Sequence, residues 1–76
     1  MFDYKKLRGR IIEKYGTLGK FAEAIGRTQS SLSMILNCER YLKQVEIVQW
    51  ATLLDIPPVE IGDFFYNRSS RNGTEN

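Results

Sequence analysis

Apolar residues recur along this chain at helical spacing, in short runs broken by glycine, proline or a capping hydroxyl. Leu7, Ile11 and Tyr15 fall four apart, with Ile12 beside them, and predict a first helix over residues 4–15 with one inward face. Asp3 stands where its side chain can cap that helix, Phe2 can pack on Leu7 as a hydrophobic staple, and Gly16 ends it. Thr17 offers a hydroxyl to the open N–H groups of a second helix, 18–25, whose inward face is Phe21, Ala22 and Ile25 and whose end is marked by Gly26. Thr28 repeats the device for a third helix, 29–37, with Leu32, Ile35 and Leu36 inward and Gln29, Ser30, Ser33, Met34 and Asn37 outward. Cys38 begins the connection to a fourth helix, 44–54, in which Ile47, Trp50, Ala51 and Leu54 form the core-facing stripe. Asp55-Ile56-Pro57-Pro58 ends that helix, and Pro58 opens a fifth, 58–65, with Ile61, Phe64 and Phe65 on one side. Residues 67–76 hold nothing apolar and are expected to form a disordered tail.

The expected fold is all-α: one compact five-helix domain over residues 1–66, in which the second and third helices make a tight capped pair, the arrangement of a helix-turn-helix. In such a pair the third helix lies in a major groove with its first turn on base edges. Gln29 carries the amide that can both donate to and accept from adenine; Ser30 and Ser33 can reach bases or phosphates, and Met34 can pack on a thymine methyl. These four are the candidate base-reading residues.

The run from Thr17 to Ser33, Thr-Leu-Gly-Lys-Phe-Ala-Glu-Ala-Ile-Gly-Arg-Thr-Gln-Ser-Ser-Leu-Ser, resembles the helix-turn-helix of the lambda-repressor/Cro-like family. With Leu7-Arg8-Gly9-Arg10-Ile11-Ile12-Glu13 and Glu60-Ile61-Gly62-Asp63-Phe64-Phe65, the stretch from Met1 to Tyr66 looks like the short Cro/repressor-like proteins of phages and prophages of Gram-positive bacteria. The resemblance implies a homodimeric, sequence-specific double-stranded DNA-binding transcriptional regulator on an inverted-repeat operator. It makes Phe21-Ala22 the packing pair of the second helix, Gly26 the turn and Leu32 the residue that locks the third helix inward. The sequence departs from the family where the second helix opens: Leu18 stands where Gln often holds a phosphate, and Gly19 follows it.

Composition narrows the chemistry. With 76 residues, no His and one Cys, a zinc cluster, a Ser-His-Asp triad and a Cys-His pair are all unavailable, so no enzyme, cofactor or metal is expected. The single thiol and the lack of an apolar run of signal or span length set the expectation of a cytoplasmic, non-membrane protein. Charge is divided along the chain. Residues 1–43 carry nine basic side chains against four acidic ones, whereas residues 44–67 carry four acids and no base. A basic end facing a polyanion follows from that division, with Lys5, Lys6, Arg10, Lys20, Arg27, Arg40 and Lys43 as candidates for phosphate and Thr17, Thr28 and Asn37 beside them. The acidic end is dense in apolar residues. Val59, Phe64, Phe65 and Tyr66 are the expected homodimer contact, on the argument that the core accepts Ile61 and only one phenylalanine. Because a fold does not settle a function, the alternative is a helix-turn-helix-derived protein-interaction module or antitoxin-like partner.

Overall fold

The structure is a computed structural model and describes residues 3–66; the Phe2 staple and the tail over 67–76 lie outside the described residues. Five α-helices follow one another: α1 (Lys5–Tyr15), α2 (Leu18–Ala24), α3 (Gln29–Leu36), α4 (Gln44–Leu53) and α5 (Ile61–Phe65), the last entered through a 3₁₀ turn at Pro58–Glu60. The predicted fifth helix is therefore a tight turn started by proline and a short α-helix, not one continuous helix. No strand occurs among the described residues, and no helix there is long and apolar enough to cross a membrane.

The starts of the helices follow the predicted chemistry. Thr17 Oγ1 accepts from the Lys20 amide at 3.1 Å and Thr28 Oγ1 from the Ser31 amide at 3.0 Å, each satisfying a donor that the first turn leaves open. Asp3 Oδ1 accepts from the Lys5 amide at 3.0 Å, but Tyr4 occupies the cap position and turns its ring into the core.

The ends share one device. After α2, α3 and α4 a residue enters the left-handed region, Gly26 at φ 74°, Cys38 at φ 63° and Asp55 at φ 54°. The next amide then reaches back five residues: Arg27 to the Ala22 carbonyl at 2.9 Å, Glu39 to Met34 at 2.7 Å and Ile56 to Ala51 at 2.8 Å. Only the first of these turns uses glycine. Cys38 carries a Cβ in a conformation that costs about 1 to 2 kcal/mol for an ordinary residue, and no local pattern around it marks that turn.

Trp50 lies at the centre, fully buried. Its ring meets Phe21 edge-on at 5.2 Å between centroids, Phe21 meets Tyr15 at 5.0 Å, and Phe65 stands 6.4 Å from Trp50 on the other side. Leu7, Ile11, Leu32, Ile35 and Leu54 fill the space between these rings without exposure. Two expectations fail. Ile12 is 44% exposed, since Leu7, Ile11 and Tyr15 already occupy the inward face of α1. Phe64 and Phe65 are both buried, at 2% and 1% exposure, because α5 packs on α1 and finds a second wall there. Lys6 Nζ and the Arg10 guanidinium sit over the Phe64 ring at 4.7 and 5.0 Å. Neither phenylalanine is left to contact a second chain; of the four predicted interface residues only Val59 and Tyr66 are exposed.

Candidate recognition surface

The capped start of α3 places Gln29 and Ser30 in solvent, with Ser33 half-buried and Met34 40% exposed one turn later. Gln29 does not extend freely from the helix. An ideal Cβ built on Gly19 would lie 3.1 Å from Gln29 Oε1 and 3.8 Å from Cδ, so the amide rests across the first turn of α2 closer than it could beside a side-chain carbon without shifting. Asn37, at the far end of α3, accepts a hydrogen bond from Arg8 Nη2 at 3.3 Å. Arg8 was not singled out by the sequence, since nothing local ties it to a residue 29 positions away.

The predicted phosphate residues divide into committed and uncommitted groups. Arg10 Nη1 donates to the carbonyls of Leu54 at 2.8 Å and Asp55 at 3.2 Å, while its Nε stands 3.3 Å from Glu13. It satisfies the carbonyls of the two residues that cap and follow the C-terminal end of α4, from across the fold. Arg27 is held as firmly: its Nε and Nη2 both donate to Glu46 Oε2, and Nη1 donates to Ser31 Oγ at 2.8 Å. Glu46 gives its other oxygen to the Lys43 amide at 3.1 Å, tying the α2–α3 turn to the start of α4. Burial of Glu46 opposes its charge, but the hydrogen bonds and charges of Arg27 and Lys43 outweigh that and hold its carboxyl below the ordinary glutamate range.

Thr17 and Thr28 spend their hydroxyl oxygens on backbone amides, as above. Lys5, Lys20, Arg40 and Lys43 are exposed, and none enters an ion pair among the described residues. On α1 the acidic C-terminal half folds back on the basic N-terminal half: Lys14 pairs with Asp55 at 2.5 Å and Lys6 with Asp63 at 3.9 Å. The Lys14 hydrogen bond and charge hold Asp55 below the usual carboxylate range. The division of charge along the chain is thus not a division between two ends of the molecule.

Beyond α3 lies a half-open groove of about 340 Å³, lined by Tyr4, Leu42, Ile47, Phe65 and Tyr66 among others. Tyr41, 96% exposed, stands at its rim. Burial raises the Tyr4 hydroxyl above the usual tyrosine range, and the neighbouring Cys38 and Tyr66 raise it further. Among the described residues no group of His, Cys, Asp or Glu is placed to hold a metal ion.

A five-helix all-α domain whose second and third helices start on threonine caps and meet at Gly26 defines a helix-turn-helix protein of the kind found among phage regulators. The chain belongs to the family described as "Protein of unknown function (DUF739)", whose model matches residues 1–68. Among solved structures it is similar to the modulator of repression (MOR) of the temperate bacteriophage TP901-1 from Lactococcus lactis, known from its solution structure. The two are 36% identical with a TM-score of 0.75, over 87% of this chain and 89% of that one. No curated protein matches the chain.

Proposed function

We propose that the protein is a non-enzymatic modulator of repression in a phage or prophage switch. In this reading it presents its helix-turn-helix surface to the repressor protein of that switch, as an interaction module, and does not hold an operator alone. The observation that carries this is the commitment of the predicted phosphate anchors: Arg10 closes α4 and Arg27 is locked to Glu46 and Ser31. A helix-turn-helix that grips DNA draws most of its affinity from cations on phosphates, and here four of the seven predicted cations, Lys5, Lys20, Arg40 and Lys43, remain exposed and without an ion pair among the described residues. The apolar exposure beside them, at Met34 and Tyr41, suits a protein partner better than a phosphate backbone. The name of the similar phage protein supports the same reading, since altering repression requires contact either with the bound repressor or with its operator.

One observation favours direct operator binding as a second reading: Gln29 and Ser30 stand in solvent at the start of a capped α3, where a base-reading helix presents them. On that reading the protein acts as a homodimer joined through Val59 and Tyr66. Calorimetric titration of the protein with the purified repressor of the same switch, alongside a gel-shift series on its operator duplex, separates the two. A stoichiometric protein complex with weak, sequence-indifferent duplex binding supports the interaction module. Tight binding of one duplex sequence by the protein alone supports the second reading.

A further inference from the structure

Gly19 is an unusual residue for the first turn of a seven-residue helix, and it uses none of glycine's conformational freedom: among the described glycines, left-handed backbone belongs to Gly16 and Gly26. What distinguishes Gly19 is its neighbour. The space a Cβ would fill is bordered at 3.1 Å by Gln29 Oε1, closer than side-chain carbons ordinarily approach an amide oxygen, whereas nothing lies within 4 Å of the same position on Gly9 or Gly62.

We propose that Gly19 is a positioning residue for recognition: by lacking a side chain it lets the Gln29 amide settle across the start of α2, fixing the direction from which that amide meets a partner. Gln29 has three rotatable side-chain bonds, and an exposed side chain of that length loses considerable freedom when it binds. A cradle that holds the amide beforehand lowers that loss, which is the general benefit of preorganisation. The arrangement joins the two helices of the pair through the residue most able to discriminate, since one amide both donates and accepts. It also accounts for the departure noted in the sequence. Leu18, being apolar, offers the Gln29 amide no hydrogen bond, and the adjoining glycine gives the amide a place against the helix. The proposal rests on the reading of the helix-turn-helix face as the recognition surface, with the repressor of the same switch as its partner.

Gly19→Ala sets stability and recognition against each other. Alanine is the better helix former, and Gln29 is exposed, so that its amide can be displaced without disturbing the core, and the melting temperature should rise by a few degrees. The Gln29 side-chain amide resonances should move, and affinity for the purified repressor should fall by about 3- to 10-fold. In a Gln29→Ala background the same substitution at Gly19 should change affinity less than 2-fold, because no amide is left to displace. Unmoved Gln29 resonances, or an equal loss from Gly19→Ala with and without Gln29, would overturn the proposal; the second would mean that the new methyl group meets the partner directly. If the parent protein does not bind the repressor at all, the reading of function fails on that result, while the amide resonances still decide whether Gly19 places Gln29.

Discussion

Nη1 of Arg10 stands 2.8 Å from the carbonyl oxygen of Leu54, so that α1 closes the C-terminal end of α4. From the sequence alone Arg10 is one cation among many on a basic helix. In the fold it is a partly buried cap, 24% exposed, with Asp55 and Glu13 as further partners and the Phe64 ring beneath it. Hydrogen bonds from charged groups to otherwise open carbonyls are worth about 1.5 to 3 kcal/mol. Arg10→Ala should therefore lower stability by about that much in urea denaturation, and Arg10→Lys should recover only part of it, because one ammonium does not reproduce the guanidinium fork. Unchanged stability with weakened binding would return Arg10 to the recognition surface.

Glu46 gives the fold a defined response to acid. Its carboxyl is held below the ordinary glutamate range in the folded protein, so the stabilisation from Arg27 and the Lys43 amide is fully present above the unfolded-state value, about 4.3. It is lost as the pH falls through the lower folded-state value. Glu46→Gln should cost about 1 to 3 kcal/mol at pH 7, between the usual figures for exposed and buried pairs. The gap between parent and variant melting curves should then close below pH 4. A gap of constant size down to pH 3 would show that the charge on Glu46 contributes little.

Trp50 Nε1 is buried and has no hydrogen-bond partner among the described residues. Truncating the ring removes the centre of the aromatic cluster, and Trp50→Ala should cost about 3 to 5 kcal/mol, comparable with the whole stability of a small domain. Trp50→Phe leaves a smaller cavity and also removes a donor that burial leaves unsatisfied, so it should cost distinctly less and keep a cooperative transition. Calorimetric melting of both variants tests the pair, and equal losses would mean that neither the smaller cavity nor the removed donor matters at this position.

The C-terminal aromatics separate folding from association. Phe64→Asp or Phe65→Asp puts a carboxylate into the core and should abolish the cooperative melting transition, whereas Val59→Asp and Tyr66→Asp should leave stability within about 0.5 to 1 kcal/mol of the parent. Sedimentation of the two folded variants then reports on any homodimer joined at that end. A well-folded Phe65→Asp protein would mean that α5 is misplaced.

Short-range chemistry was readable in the sequence, and long-range closure was not. The helix starts followed from Thr17 and Thr28, the turn from Gly26, and the α4 stripe from Ile47, Trp50 and Leu54, because each signal and its consequence lie within a few residues of one another. Burial of both phenylalanines depended on α5 meeting α1, and the roles of Arg10 and Arg27 depended on partners 44 and 19 residues away. Charge counted along the chain says nothing of pairs such as Lys14–Asp55 that form only after folding. On the candidate surface the exposed residues of α3 were anticipated, while Arg8 behind Asn37 and the space that Gly19 leaves for Gln29 appear only in three dimensions.

The salt dependence of duplex binding tests the central claim most directly. Each phosphate neutralised contributes about 0.9 to the logarithmic slope of affinity against salt. If Lys5, Lys20, Arg40 and Lys43 are the cations available, the slope should be no steeper than about 4 per protomer, with less than 10-fold preference for the operator over random duplex, while the purified repressor is bound stoichiometrically at the same ionic strength. A slope of 6 or more per protomer, accompanied by a preference above about 10³-fold for one duplex sequence, would contradict the account and make the protein an operator-binding repressor in its own right.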